Sequence, residues 1–321
     1  MENLLDILLF GGGYNTRLVM VGAALLGAAG GMVGSFALLR KRALISDAIS
    51  HATLPGVAIG FLVAFWLTGS GRNLPIIIAG AALSGALGVL AVQWIKDNTR
   101  LAEDSAIGTV LSGFFAVGIV LLSWLQGLEM GGRAGLQGFL LGAVATMTVA
   151  EAELIAGLAL AIVVVSLLLF KEFKLVCFDP DYAASIGRPV RFLDLAMMGL
   201  LLILVSIGLK AVGLILVIAI VIIPPAAARF WTERLSVMVT IAIGMGAVSA
   251  YIGAGLSAAA DDLPTGAVIV LVQGAMFAVS LLVAPNRGAI AAVLRTRSDR
   301  RAYAAGTLAE PDMPDRGRYP E

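Results

Sequence analysis

The chain has 321 residues, 60% of them hydrophobic and 13% charged, with a formal net charge of +1 and a mean hydropathy of +0.98. Soluble domains carry about 25% charge, so a water-soluble core is excluded, and a net charge near zero argues against a nucleic-acid partner, which needs clustered Lys and Arg. The single cysteine, Cys177, excludes an intrachain disulfide framework and a cysteine-based zinc site.

Residues 1–16 are apolar in patches (Leu4, Leu5, Ile7, Leu8, Leu9, Phe10) but acidic. Without the positive flank of a secretory signal, they read as a short interfacial segment. A helix needs about 20 apolar residues to cross the hydrocarbon core. That ruler predicts an all-α, polytopic membrane domain over 17–288, with nine spans at 17–39, 43–68, 75–95, 105–125, 150–170, 192–209, 211–229, 235–257 and 265–285; eight to ten spans fit the pattern. A further apolar stretch, 136–149, is too short to span and reads as re-entrant. Gly27, Gly30, Gly31 and Gly34 in the first span have the four-residue spacing that lets membrane helices approach closely.

Orientation follows from the Lys and Arg bias of the loops. Placing Arg40, Lys41 and Arg42 in the cytoplasm puts 18 basic residues inside and four outside, namely Arg17, Arg72, Arg133 and Lys210. The N-terminus is therefore expected outside and the C-terminus inside. The longest cytoplasmic connection, 171–191, carries Asp179-Pro180-Asp181-Tyr182-Ala183-Ala184 before Gly187 and reads as a short docking helix ended by glycine. Residues 289–321 are expected to form a disordered cytoplasmic tail.

The second span carries the chemistry: Asp47 and His51, the chain's only histidine, lie one turn apart on one face. Ionisable groups inside a membrane helix are costly and mark substrate or ion paths. Pro55 lacks the amide hydrogen that would bond the carbonyl of His51, so a carboxylate, an imidazole and a released oxygen converge near mid-membrane. That set suits a divalent transition ion such as manganese, zinc or iron; the alternative is a structural hydrogen bond between Asp47 and His51. Pro224 and Pro225 predict a bend near the cytosolic end of the seventh span. Glu151, Glu153, Asp261 and Asp262 lie at the outer face, either as cation-concentrating acids or as solvated helix-start and loop residues.

No G-x-x-x-x-G-K-[ST] phosphate loop, nucleophile elbow or metalloprotease motif occurs in the sequence. The chain is expected to be neither an ATPase nor an intramembrane enzyme. A proton-coupled secondary transporter with Asp47 and His51 as a relay stays open at this level.

Several stretches, taken together, resemble the permease subunits of bacterial manganese, zinc and iron ABC importers. They are 38–56 with Asp47, His51, Pro55 and Gly56; Asp104 to Gly108; Phe178 to Gly187; Gly208 to Gly213 through Pro224-Pro225 to Arg229; and Leu263 to Gly266. They occur in the family's order and cover about 17–288. The resemblance implies the ABC importer permease fold in the bacterial cytoplasmic membrane, with Asp47 and His51 lining the path of a transported metal. It also implies a coupling helix at Asp179–Gly187 seated in a separate ATPase that hydrolyses ATP. A second permease, as a copy or a paralogue, and an extracytoplasmic solute-binding protein would complete the assembly, with no covalently bound cofactor. Gly142-Ala143 departs from the Gly-Gln or Gly-Asn more usual in relatives, so no ligand is assigned there.

Overall fold

The structure is a computed structural model that describes residues 13–40, 42–69, 73–127, 148–259, 263–285 and 288–291. The principal elements among them are helices: α1 (Tyr14–Leu39), α2 (Ala43–Thr68), α3 (Leu74–Asn98), α4 (Glu103–Gly127), α5 (Val149–Leu168), α6 (Phe170–Phe178), α7 (Pro180–Ser185), α8 (Val190–Ala211), α9 (Leu214–Arg229), α10 (Leu235–Ala259) and α11 (Thr265–Val283). Eight of these are long and apolar enough to cross a membrane, and the protein is an all-helical, multi-pass membrane protein.

The seventh expected span, 211–229, is shorter than the sequence suggested. Helix α8 continues through Ala211, and Gly213 turns the chain at φ +92°, so α9 begins only at Leu214 and has 16 residues. At about 1.5 Å per residue it measures about 24 Å, short of the roughly 30 Å hydrocarbon core. At the other end of the chain, α1 starts at Tyr14 instead of residue 17. Residues 136–147 of the expected re-entrant stretch and residues 292–321 lie outside the described residues, and Val149 opens α5.

Helix α1 is the axis of the bundle and packs against α10, α5, α9 and α8. Its glycines divide between two neighbours. Gly27 and Gly31 meet the backbone of Gly246 and Ala242 on α10, whereas Gly30 and Gly34 meet the carbonyl oxygens of Ile220 and Val221 on α9. Those are the two oxygens that Pro224 and Pro225, both inside α9, deprive of their helical amide donors. The glycine backbone lies close against both oxygens and covers them. The expected bend site is thus packed helix.

A second unit joins α2, α3 and α4. Gly56 of α2 and Gly80 of α3 each sit where a side chain would strike the other's carbonyl, and Gly118 of α4 abuts Leu54 and Pro55. The Ser84 hydroxyl on α3 donates across to the Ala52 carbonyl at 2.7 Å.

Between α5 and α8 the chain forms a cap from α6 and α7. The edges of Phe170 and Phe173 pack on Phe36 of α1, with centroids at 5.8 and 5.3 Å. Asp179 caps α7 by accepting from the Tyr182 amide at 2.8 Å, with Pro180 in the first turn. Gly187, at φ +78°, ends it. Of the acids expected at the outer face, Glu151 forms a capping box with Thr148 and an ion pair with Lys210 at 3.5 Å, which is a helix-start role. Asp261 and Asp262 lie outside the described residues.

Candidate functional site

Helix α2 positions the site. Its N-terminal half is back-bonded by its own hydroxyls, Ser50 to the Ser46 carbonyl at 2.8 Å and Thr53 to the Ser50 carbonyl at 2.6 Å. Ser46, Ser50 and Thr53 are fully buried, whereas Asp47 and His51, about 110° round the helix, keep part of their surface exposed. His51 Nε2 stands 3.4 Å from Asp47 Oδ1, with side-chain exposures of 18% and 38%. That separation exceeds the roughly 2.7–3.2 Å of an N–H···O hydrogen bond. The imidazole is steered by packing: it stands at 88° to the Phe115 ring of α4, centroid to centroid 4.9 Å. Its Nδ1 is buried with no hydrogen-bond partner.

Pro55 lies one turn further along α2, in contact range of Gly118 on α4. It belongs to the same neighbourhood as His51. Pro224 and Pro225 do not join that neighbourhood by any contact described; both are buried and Pro225 lies beside Gly34 of α1. Among the described residues no group of three or more His, Cys, Asp and Glu side chains is close enough to hold a metal ion. The described chain thus offers a metal at most a two-side-chain set at this point.

The cap presents a separate surface. Ala183 is fully buried in the main core, whereas Phe178, Tyr182 and Ile186 are 62%, 55% and 49% exposed. Asp179, Asp181, Ala184 and Gly187 are exposed as well. This face mixes apolar and acidic side chains, lies outside the membrane-length helices, and is seated on the core through Ala183.

Three features had been passed over in the sequence. Phe115 gave no signal. Asp194, an acid within the sixth apolar stretch, receives Arg40 at 2.8 Å and Arg42 at 3.5 Å, and its place in an apolar helix was the cue. Gln273 on α11 is 1% exposed, and neither amide atom has a hydrogen-bond partner; a lone amide in an apolar run was its cue.

The model of the "ABC 3 transport family" matches residues 14–284 of this chain. The chain belongs to that family. Among relatives of this ABC 3 family member, the manganese transport system membrane protein MntC of Bacillus subtilis (strain 168) is 43% identical over 89% of the chain, a match that takes in 65% of the Bacillus protein, just under two thirds of its length. The zinc transport system membrane protein TroC of Treponema pallidum (strain Nichols) is 38% identical over 88% of this chain and 94% of TroC. A solved structure, PsaBC from Streptococcus pneumoniae in complex with Fab, superimposes with a TM-score of 0.76 at 28% identity, covering 88% of this chain and 96% of that one. As an ABC 3 family member the chain is a membrane-embedded transporter component.

Proposed function

We propose that the chain is the membrane-spanning subunit of an ATP-driven importer that passes a divalent transition metal, manganese, zinc or iron, into the bacterial cytoplasm. ATP is hydrolysed on a separate ATPase seated against Asp179–Gly187, a second permease completes the membrane core, and an extracytoplasmic binding protein delivers the ion. The N-terminus lies outside and the C-terminus inside. The relatives named for manganese and zinc transport support this reading.

The observation that carries it is the 3.4 Å gap between Asp47 Oδ1 and His51 Nε2. Two ligand atoms each about 2.1 Å from a tetrahedral ion lie about 3.4 Å apart, so the pair is spaced for a metal between them better than for a hydrogen bond. Two side chains leave the remaining coordination positions to water or to groups from elsewhere, which favours passage over retention.

The test is uptake into vesicles containing the assembled complex, normalised to the amount of complex. Asp47→Asn keeps volume but removes the charge that offsets a dication, and His51→Gln removes the imidazole nitrogen. Each is expected to lower normalised uptake by about an order of magnitude or more. A structural hydrogen bond predicts less folded protein with uptake per folded molecule unchanged, and near-wild-type normalised rates in both variants would sink the metal path. Uptake that persists without the ATPase would instead favour proton coupling.

A further inference from the structure

Arg40 and Arg42 bracket the turn between α1 and α2, and both converge on one oxygen of Asp194 in the second turn of α8. Arg40 Nη2 donates to Oδ2 at 2.8 Å, and Arg42 Nη2 stands 3.5 Å from the same atom. Arg40 also donates from Nη1 to the Val176 carbonyl in the last turn of α6, at 3.1 Å. One small cluster therefore touches the exit of α1, the first residue before α2, the end of α6 and the start of α8. Arg42 is the N-cap of α2, and Asp47 follows five residues later. At about 1.5 Å rise per residue, Asp47 and His51 lie roughly 7 and 14 Å along the same helix from Arg42.

On its other side the cluster is joined firmly to α7. Val176 and Ala183 are fully buried. Arg188, just after α7, pairs with Glu172 of α6 at 3.6 Å, and Phe36 locks α6 to α1 through two aromatic contacts. Helix α7 is thus connected through α6 to the entry of α8.

The ion-pair cluster itself is built to rearrange. A fixed clamp between guanidinium and carboxylate uses both oxygens in a fork. Here both arginines share Oδ2, while Asp194 Oδ1 and Arg40 Nε are buried with no partner. Two cations face one anion, and Arg42 holds the longer contact. Beside it opens a cleft of about 480 Å³ whose wall also carries Lys96, Asp97, Glu103 and Arg191, which gives Arg42 room to move and further carboxylates nearby.

We propose that Asp194, gripped by Arg40 and Arg42, is a positioning residue that carries displacement of α7 to Asp47 and His51, and so ties ATP-driven movement to the metal path. This rests on the importer reading above and adds the connection within the permease.

The experiment uses the full chain assembled with its ATPase in vesicles, with manganese(II) as the probe, and reads manganese taken up per ATP hydrolysed. Asp194→Asn is expected to keep consuming ATP while that ratio falls roughly three- to thirty-fold, the loss expected when a connecting residue is removed. Asp194→Glu should restore the ratio to within about twofold of wild type. Arg42→Gln removes only the longer contact and leaves the Arg40 tie to hold the fold, and it should lower the ratio in the same direction. A ratio unchanged in Asp194→Asn, with uptake and hydrolysis falling together, would overturn the proposal. Should Asp194→Asn fail to assemble, a wild-type ratio in Arg42→Gln would overturn it equally. Wild-type vesicles that take up manganese without ATP would remove the importer reading and this proposal with it.

Discussion

The α1–α10 contact gives a stability prediction whose size is set by backbone geometry. A Cβ at Gly246 would collide with the Gly27 carbonyl oxygen and lie 2.8 Å from its carbon, whereas a Cβ at Gly244, two residues away on the same helix, meets nothing within 4 Å. The obstructing atoms are backbone, so no rotamer change relieves the clash, and α10 must move away from α1. Overpacking of this kind costs about 1–3 kcal/mol, and separation also weakens Cα–H···O contacts worth about 0.5–1 kcal/mol each. Replacing a helical glycine by alanine returns only about 1 kcal/mol of propensity. Gly246→Ala should therefore destabilise by roughly 1–3 kcal/mol net, and Gly244→Ala should be neutral or mildly stabilising. Heating the detergent-solubilised full chain and measuring the fraction that stays monodisperse on size-exclusion chromatography compares the two. Equal midpoints for Gly246→Ala and Gly244→Ala would refute the close-packing argument.

Burial pushes the Cys177 thiol up to about 11, against a counter-pull from Arg40, so the folded protein holds the neutral, unreactive thiol through neutral pH. Its alkylation rate should keep rising about tenfold per pH unit up to about pH 10; a plateau below pH 9 would contradict the buried placement. Gly187 sits at φ +78°, where a Cβ costs about 1–2 kcal/mol, so Gly187→Val should distort the end of α7 and weaken copurification with the ATPase. Unchanged copurification after deletion of Asp179–Gly187 would show that this segment is not the docking element. In a Cys177→Ser background, an impermeant thiol reagent added outside should label Gly71→Cys and spare Asn98→Cys and Thr232→Cys, and the reverse pattern would invert the topology.

What the sequence revealed and what it hid divide along one physical line. Helix existence was legible because lipid demands about 20 apolar residues in a row, and the α7 helix was legible because its cap, proline and terminal glycine are local signals. Asp47 and His51 stood out because their spacing alone puts them on one face. The boundary between α8 and α9 was missed by a few residues because Lys210, the charge that divides the apolar runs, still lies inside α8, and the positive φ at Gly213 makes the turn. Contacts that close over long separations left little trace. Arg40 and Asp194 are 154 residues apart, and neither carries a motif that names the other.

The same line explains why α1 is central and why its glycines matter. In water, burial of apolar surface would hold α1 in place, but among lipid tails that force is absent and packing must do it. Glycines at 27 and 31 admit α10, and those at 30 and 34 admit α9 against the two carbonyls that Pro224 and Pro225 release. The double proline therefore leaves α9 with oxygens that only a close, side-chain-free neighbour can cover. Moving α9 relative to α1 would expose those oxygens to hydrocarbon, at a cost of several kcal/mol for each group left unsatisfied. Covering those oxygens ties α9 to α1, while Arg42 at the start of α2 stands 3.5 Å from Asp194.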